Sequence, residues 1–309
     1  MGLTVIVISF NTRDLTLACL RSVHEGIAKA RNEGCDVVVV DNVSTDDSVK
    51  AIAARFPDIR LIRSERNLGF AAANNRAAKE STAEYLLLLN PDTVVLDGAI
   101  DRLLAFAREH PRAGIWGGRT VFADRSLNPA SCWGRQTPWS LVCTATGLSS
   151  LLRGSSLFNP EGYGGWKRDC QREVDIVSGC FLLIRRELWD QLGGFDERFF
   201  VYGEDADLCL RARKLGYRPM ITPEATIVHY GGASEKVRAD KLVRLLTAKT
   251  MLIRQHWSPS RVGIGVRLLA AWPLSRLIAF SVLRCVGFKR DALSVWREVW
   301  RRKREWYGP

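Results

Sequence analysis

Three sets of side chains in this 309-residue sequence have types and spacing that suit chemistry. The acidic cluster Glu204-Asp205-Ala206-Asp207 comes just before Leu208, Ala212 and Leu215, which recur at helical spacing. A carboxylate at a helix N-terminus tends to stay ionised, because the helix dipole stabilises negative charge there. That suits a general base that takes a proton from a hydroxyl. Asp41 follows the apolar run Val37–Val40, and Asn90-Pro91-Asp92 follows Glu84–Leu89. Ala225–Val228 reads as a strand with His229 at its exit, followed by Gly231-Gly232. Taken singly, each has a plainer reading as a helix cap, a turn aspartate or a structural histidine. The combination is what points to a site.

The elements that must hold these residues alternate. Leu3–Ile8 and Val37–Val40 are continuous apolar runs, as expected of strands buried on both faces. Ile59–Ile62 and Glu84–Leu89 read as further strands, and Gly114–Phe122 and Val174–Ile184 as later ones, the last with Ser178-Gly179 inside it. Helical spacing appears in Asp14–Ala30, Ser44–Arg55, Phe70–Lys79 and Ala99–Arg108. Gly216 is placed to end the helix after the acidic cluster in a left-handed conformation. Strands and helices alternating in this way imply an α/β protein with a mostly parallel sheet. Ligands bind such sheets beyond the carboxyl ends of the strands, so Asp41 and Asp92 are expected on one rim. From residue 123 to residue 172 the periodicity breaks down, and Trp133, Trp139, Tyr163 and Trp166 are interleaved with Gly, Pro and Ser. That stretch reads as long loops, which in compact domains are usually functional or disordered.

The net charge of +12 is unevenly distributed. Residues 241–309 hold 15 Lys/Arg against 3 Asp/Glu, while the preceding 240 residues balance. Such a patch prefers anionic partners, either nucleic acid or the cytoplasmic face of a membrane. The eight cysteines form no CxxC pair, which argues for reduced thiols rather than a zinc site or a disulfide frame. Met1–Ser9 has no basic n-region and no cleavage site, so a cytoplasmic protein is expected.

Six segments, in this order, resemble the family-2 inverting glycosyltransferases of the GT-A fold, and within them the rhamnosyltransferase-like branch. They are VIVISFN at 5–11, DNVSTDDS at 41–48, RNLGFAAANN at 66–75, LLLLNPD at 86–92, VDIVSGCFLLIRR at 174–186 and the stretch from Gly193 to Ser234. The resemblance implies a Rossmann-like, mostly parallel central sheet flanked by helices, expected over residues 1–240; the charge and composition of residues 241–309 suggest a basic helical extension instead. The resemblance also implies a nucleotide-diphosphate-sugar donor, dTDP- or UDP-linked, and a glycan or polyprenyl-linked acceptor. By resemblance Asp41 accepts a hydrogen bond from the N3–H of the base. Ser9, Asn11, Asn67, Gly69, Phe70 and Asn90 line the donor site, while Asn74 and Asn75 either brace that loop or contact ligand. Asp92 stands at the metal-binding DxD, whose first acid is Asn90 here, and His229 matches the histidine that completes a Mn²⁺ or Mg²⁺ site. Asp205 is the implied catalytic base. Ser178, Gly179 and Glu204 lie on the acceptor side, and Asp207 is expected to pair with Arg211 or Arg213.

The C-terminal segment lies outside the resemblance. Val262–Phe288 is apolar, but Arg267, Arg276 and Arg284 make a spanning helix costly, at roughly 2.5 to 3.5 kcal/mol each. In Asp291–Trp306, Ala292, Val295, Trp296, Val299 and Trp300 share one face, with arginines around the rest. A basic, Trp-bearing helix suits an anionic membrane surface on the inner leaflet. The opposing expectation is an ordinary helix packed on the protein. A nucleic-acid-binding protein is disfavoured, because no binding motif accompanies the basic tail. A dinucleotide oxidoreductase is disfavoured too, since no GxGxxG follows the first strand. An inactive binding relative stays open.

Overall fold

A computed structural model describes residues 2–27, 34–231, 237–285 and 290–308, with the side chains of 284–291 outside the description. The chain divides into two compact units. The first comprises Met1–Trp133, Lys167–Phe200 and Glu204–Ser234; the second comprises Gly134–Trp166, Val201–Gly203 and Glu235–Pro309.

The first unit is an α/β domain built on one large sheet. Its main strands are β1 (Leu3–Ser9), β2 (Cys35–Asp41), β3 (Arg60–Arg63), β4 (Tyr85–Leu89), β5 (Thr93–Val95), β6 (Ile115–Val121), β7 (Phe181–Arg185) and β8 (Met220–His229). They lie in the order β3-β2-β1-β4-β7-β6-β8-β5, and the short strand Arg172–Glu173 pairs with β8. β3, β2, β1 and β4 are parallel, as are β6 and β8, while β7 and β5 run antiparallel to their neighbours. The parallel register pairs Ser9 with Asp41, so the carboxyl ends of β1 and β2 reach one edge together. Every residue of β1 and β4 is buried, which accounts for their uninterrupted apolar sequences. Helices Arg13–Gly26 and Ala99–Glu109 turn apolar faces inward through Leu17, Leu20 and Val23, and through Ile100, Leu103 and Leu104.

Several sequence expectations need correcting. The run Val174–Ile184 is two strands, Ile176–Val177 and β7, with Ser178-Gly179-Cys180 between them. The expected helix from Ser44 starts at Ser48, and residues 42–47 form a loop. Leu215, expected on the buried face after the acidic cluster, is 49% exposed, although Leu208 and Ala212 are buried. β8 begins at Met220, five residues before the expected start. Gly216 does take a left-handed conformation, at φ 95°. The helix expected over Asp14–Ala30 runs Arg13–Gly26; residues 28–30 and 286–289, and Gly232 beyond His229, lie outside the described residues.

The second unit is helical. Residues 134–166, read as loops from the sequence, contain the helix Pro138–Thr146, started by a capping box between Thr137 and Ser140 with Pro138 in its first turn. Glu161 holds that region to the long helix Arg238–His256, accepting from Ser140 Oγ at 2.8 Å and from Lys249 Nζ at 2.7 Å. Helices Pro259–Cys285, Arg290–Arg301 and Lys303–Tyr307 complete the unit. Its core includes Leu246, Ile253, Leu269, Trp296, Val299 and Trp306. The shared face expected to meet a membrane therefore turns inward at Trp296 and Val299, 6% and 0% exposed. Pro259–Leu283 is long and apolar enough to cross a membrane by length and composition, although its arginines weighed against that in the sequence. Seven cysteines are free among the described residues.

The sheet leaves no room at Gly118. A Cβ there would meet the Ala225 carbonyl oxygen at 2.1 Å and the Phe181 ring at 2.6 Å. Gly118→Ala is expected to cost about 1–3 kcal/mol. Urea unfolding, read as a lower midpoint at unchanged slope, checks it.

Candidate active site

At the edge where β1 and β2 end, Asp41 is 3% exposed. One of its oxygens accepts the Ser44 N–H at 3.0 Å, and the other, Oδ1, is buried without a partner. A buried carboxylate oxygen left open is costly unless something fills the position. Ser9, its register partner, is fully buried and its hydroxyl lies 3.0 Å from Thr16 Oγ1. That contact ties the end of β1 to the following helix. Asn11, at φ 52°, accepts the Thr45 N–H at 2.8 Å, while Asp46 accepts the Arg13 N–H at 2.8 Å. The loop after β2 is thus pinned by the loop after β1.

Asn42, given no role from the sequence, ties this loop to the next. It accepts the Leu68 N–H at 3.2 Å and donates to the Gly69 carbonyl at 2.9 Å. Asn67 accepts the Gly69 N–H at 2.9 Å. Gly69 itself has φ 76°, and a Cβ on it would lie 2.3 Å from the Phe200 carbonyl oxygen. Both the backbone angle and the contact require glycine. Phe70 N–H donates to that same oxygen at 2.8 Å. Asn75 is a brace, exchanging hydrogen bonds with the backbone of Phe195 at 2.9 Å. Asn74 is also buried and donates to the Phe70 carbonyl.

Asp92 and His229 come together because β5 pairs with the end of β8, His229 opposite Thr93. His229 Nε2 lies 3.5 Å from Asp92 Oδ1, and both residues are under one-tenth exposed. Burial works against a charge on His229, but Cys180 and Asp92 beside it outweigh that and push its pKa up to about 10. Asn128, in the stretch that lacked periodicity, donates to the His229 carbonyl at 3.0 Å and steadies the strand end. No signal in the sequence marked it. A carboxylate beside an imidazole suits a divalent cation whose remaining ligands come from substrate oxygens. Among the described residues no cluster of three or more His, Cys, Asp or Glu gathers to hold a metal; Asp92 and His229 are the pair that the strands bring together. Asn90 contributes backbone here: its N–H donates to the Cys180 carbonyl and its carbonyl accepts from Thr93.

Asp205 sits in the first turn of the helix Glu204–Lys214 and is half-buried. Its two oxygens accept the Gly179 N–H at 2.9 Å and the Ala206 N–H at 2.7 Å. Burial raises its pKa above the ordinary aspartate range, and these amides pull the other way. Gly179 lies in the break before β7, where a Cβ would be 3.3 Å from the Phe70 ring and 3.6 Å from Asp205 Cβ. The loop carrying Asn67–Phe70 and the acidic helix therefore meet at this glycine. Ser178, 8% exposed, holds the turn by donating its N–H to the Ser131 carbonyl. Asp207 is fully buried and paired with Arg211 at 2.7 Å, which also donates to the carbonyls of Leu192 and Gly194. It anchors the helix, as expected. Glu204 is 5% exposed with Oε2 unpartnered, and burial, with the Asp205 charge next to it, holds its pKa well above the glutamate range. Of the two acids, burial favours the proton more strongly on Glu204 than on Asp205, where the two amides oppose it.

The family model for glycosyl transferase family 2 matches residues 4–193. The chain is 34% identical over 218 residues to the N-acetylglucosaminyl-diphospho-decaprenol L-rhamnosyltransferase of Mycobacterium tuberculosis strain H37Rv, covering 66% of this chain and 69% of that one. It is 27% identical over 224 residues to the dTDP-rhamnosyl transferase RfbF of Shigella flexneri, covering 71% and 68%. In fold it is similar to the mannosyltransferase PcManGT of Pyrobaculum calidifontis, solved with GDP-Man and Mn²⁺, at a TM-score of 0.61 and 18% identity over 98% of this chain and 87% of that one.

A glutamate that keeps its proton in the folded state binds it more tightly there than in the unfolded chain. Its contribution to stability is full below the unfolded pKa of about 4.3 and is lost as pH rises toward the raised folded value. Glutamine mimics the protonated form at every pH. Glu204→Gln should therefore gain melting temperature relative to the native chain as pH rises from about 4.3. Thermal melts across that range check it; a difference that shrinks with pH would place the charge on Glu204.

Proposed function

The chain belongs to glycosyl transferase family 2, and from that premise we propose that it transfers rhamnose from a dTDP-linked donor to a hydroxyl of a cell-surface or polyprenyl-linked glycan. Transfer proceeds with inversion, in one displacement, at the cytoplasmic face of a membrane. Both relatives named above are rhamnosyltransferases, which supports the sugar. The observation that carries the reading is Asp205, a carboxylate that accepts the Gly179 amide beside the Phe70 ring.

In this reading Asp41 Oδ1, buried and open, accepts the N3–H of the thymine or uracil ring. Gly69 and Phe70 give the donor a floor that a larger residue at position 69 would lift. Asp92 and His229 would hold a divalent metal, Mn²⁺ or Mg²⁺, whose charge when bound offsets that of the departing diphosphate. His229 would bind such a metal through a deprotonated ring nitrogen. Asp205 takes the proton of the acceptor hydroxyl as its oxygen bonds to the anomeric carbon and the bond from that carbon to the diphosphate oxygen breaks. Ser178 and Gly179 shape the acceptor side through the turn they form. Glu204, neutral next to Asp205, lets the base hold the one negative charge.

Two experiments test this. Calorimetric titration of dTDP and of UDP, with and without Mn²⁺, should give metal-dependent binding, tighter for dTDP, and Asp92→Ala should abolish the metal dependence. Binding of neither nucleotide under any metal would overturn the reading. Asp205→Asn should keep nucleotide affinity within error while transfer falls by about 10²–10⁴-fold. Equal loss of binding and transfer would instead make Asp205 a structural residue.

A further inference from the structure

The helical unit exposes an apolar surface that glycosyl transfer does not use. On the helix Pro259–Cys285, Leu274, Ile278 and Val282 stand at i, i+4 and i+8 and are 38%, 56% and 64% exposed. They form one outward stripe about two turns long. Other residues of the same helix, including Val266, Leu269 and Leu277, pack into the unit's core. The helix thus lies along its unit with one flank bare, which argues against its crossing a bilayer.

A second element extends the stripe. Ser275 Oγ donates to the Ala145 carbonyl at 2.6 Å and Arg276 donates to the Thr144 carbonyl at 3.1 Å. These bonds seat the turn at Gly147 against the middle of the helix. Just past that turn Leu151 is 80% exposed, Leu152 39% and Leu157 60%. Exposed leucines scattered singly are ordinary, but a patch of them with a neighbouring helix stripe marks an interaction surface.

Charge identifies the occupant. Residues 134–160 and 259–290, which build this surface, contain no Asp or Glu. Arg153, Arg261 and Arg267 are exposed on them. Over 134–166 and 235–309 the chain carries nineteen Lys/Arg against six Asp/Glu. A second copy of the chain meeting this face about a two-fold axis would set the same patch against itself, cation to cation. An anionic bilayer takes leucines into its acyl boundary and arginines among its phosphates. We propose that the Leu274–Ile278–Val282 stripe and the Leu151–Leu157 corner together dock this protein on an anionic lipid surface, with the helix lying in the plane of the interface. The proposal draws its purpose from the reading of a polyprenyl-linked acceptor, but its test needs neither donor nor acceptor.

The full chain is sedimented with vesicles of phosphatidylcholine alone and of phosphatidylcholine mixed with phosphatidylglycerol. It should pellet with the mixed vesicles and far less with the neutral ones. The triple substitution Leu274→Glu, Ile278→Glu, Val282→Glu should lower that binding by about tenfold or more, while Leu215→Glu, exposed on the other unit, should leave it unchanged. Leu151→Glu with Leu157→Glu reads the same surface without touching the helix, should the triple variant misfold. Undiminished pelleting of both variants, or no pelleting of the native chain, overturns the proposal. So does a native dimer by light scattering that the triple substitution splits while no vesicles are bound. Nucleotide titration of the triple variant separates the two readings: retained dTDP binding with lost pelleting leaves the transferase intact and assigns the face to lipid.

Discussion

A carboxylate that is to work as a base must be charged, reachable and held still, and burial opposes the first of these. At Asp205, the base of the proposed reading, burial raises the pKa and two backbone amides, from Gly179 and Ala206, work against it. The Gly179 amide is available because the chain breaks between Val177 and Phe181, where a continuous strand would have committed that N–H to the sheet. The break in turn lets Gly179 sit under the Phe70 ring, and Phe70 is steered by a glycine that only fits beneath the Phe200 carbonyl. One hydrogen bond thus depends on a strand interruption, a turn and a positive φ that lie far apart in sequence.

The sheet supplies the remaining alignment. Parallel register brings Ser9 and Asp41 to one edge, and the antiparallel pairing of β5 with β8 sets His229 against the segment that follows Asp92. Loops that leave the edge are cross-tied by side-chain amides: Asn11 to Thr45, Asn42 to Gly69, Asn75 to Phe195. Such ties remove conformational freedom from the loops before any ligand arrives, so binding has less ordering left to do.

Much of this was legible in the sequence, and for a definite reason. Strands buried on both faces read as unbroken apolar runs, so β1, β2 and β4 and the acids at their ends could be seen directly. Asp207 was expected to pair with Arg211 or Arg213, and the structure selects Arg211, four residues on along the helix. What was hidden depends on partners distant in sequence. Ser178-Gly179 looked like strand because its neighbours are apolar on both sides, and nothing local announces a turn. The contact between the Ser9 and Thr16 hydroxyls had no signal in the sequence. Asn42 and Asn128 act through backbone groups tens of residues away. The tryptophans of Arg290–Arg301 had a perfect amphipathic pattern, but periodicity tells only that a face is apolar, and here Trp296 and Val299 turn it toward protein.

The position of β7 has a consequence for how the chain is made. β7 lies between β4 and β6, although it follows β4 by roughly ninety residues, a span that takes on the order of 5–20 s to synthesise. Until it arrives, β4 presents the edge Leu86-Leu87-Leu88-Leu89, uncharged and without proline, to whatever else is in the cell. Truncation before residue 181 would leave that edge uncovered for good, a strand edge open to pairing with other chains.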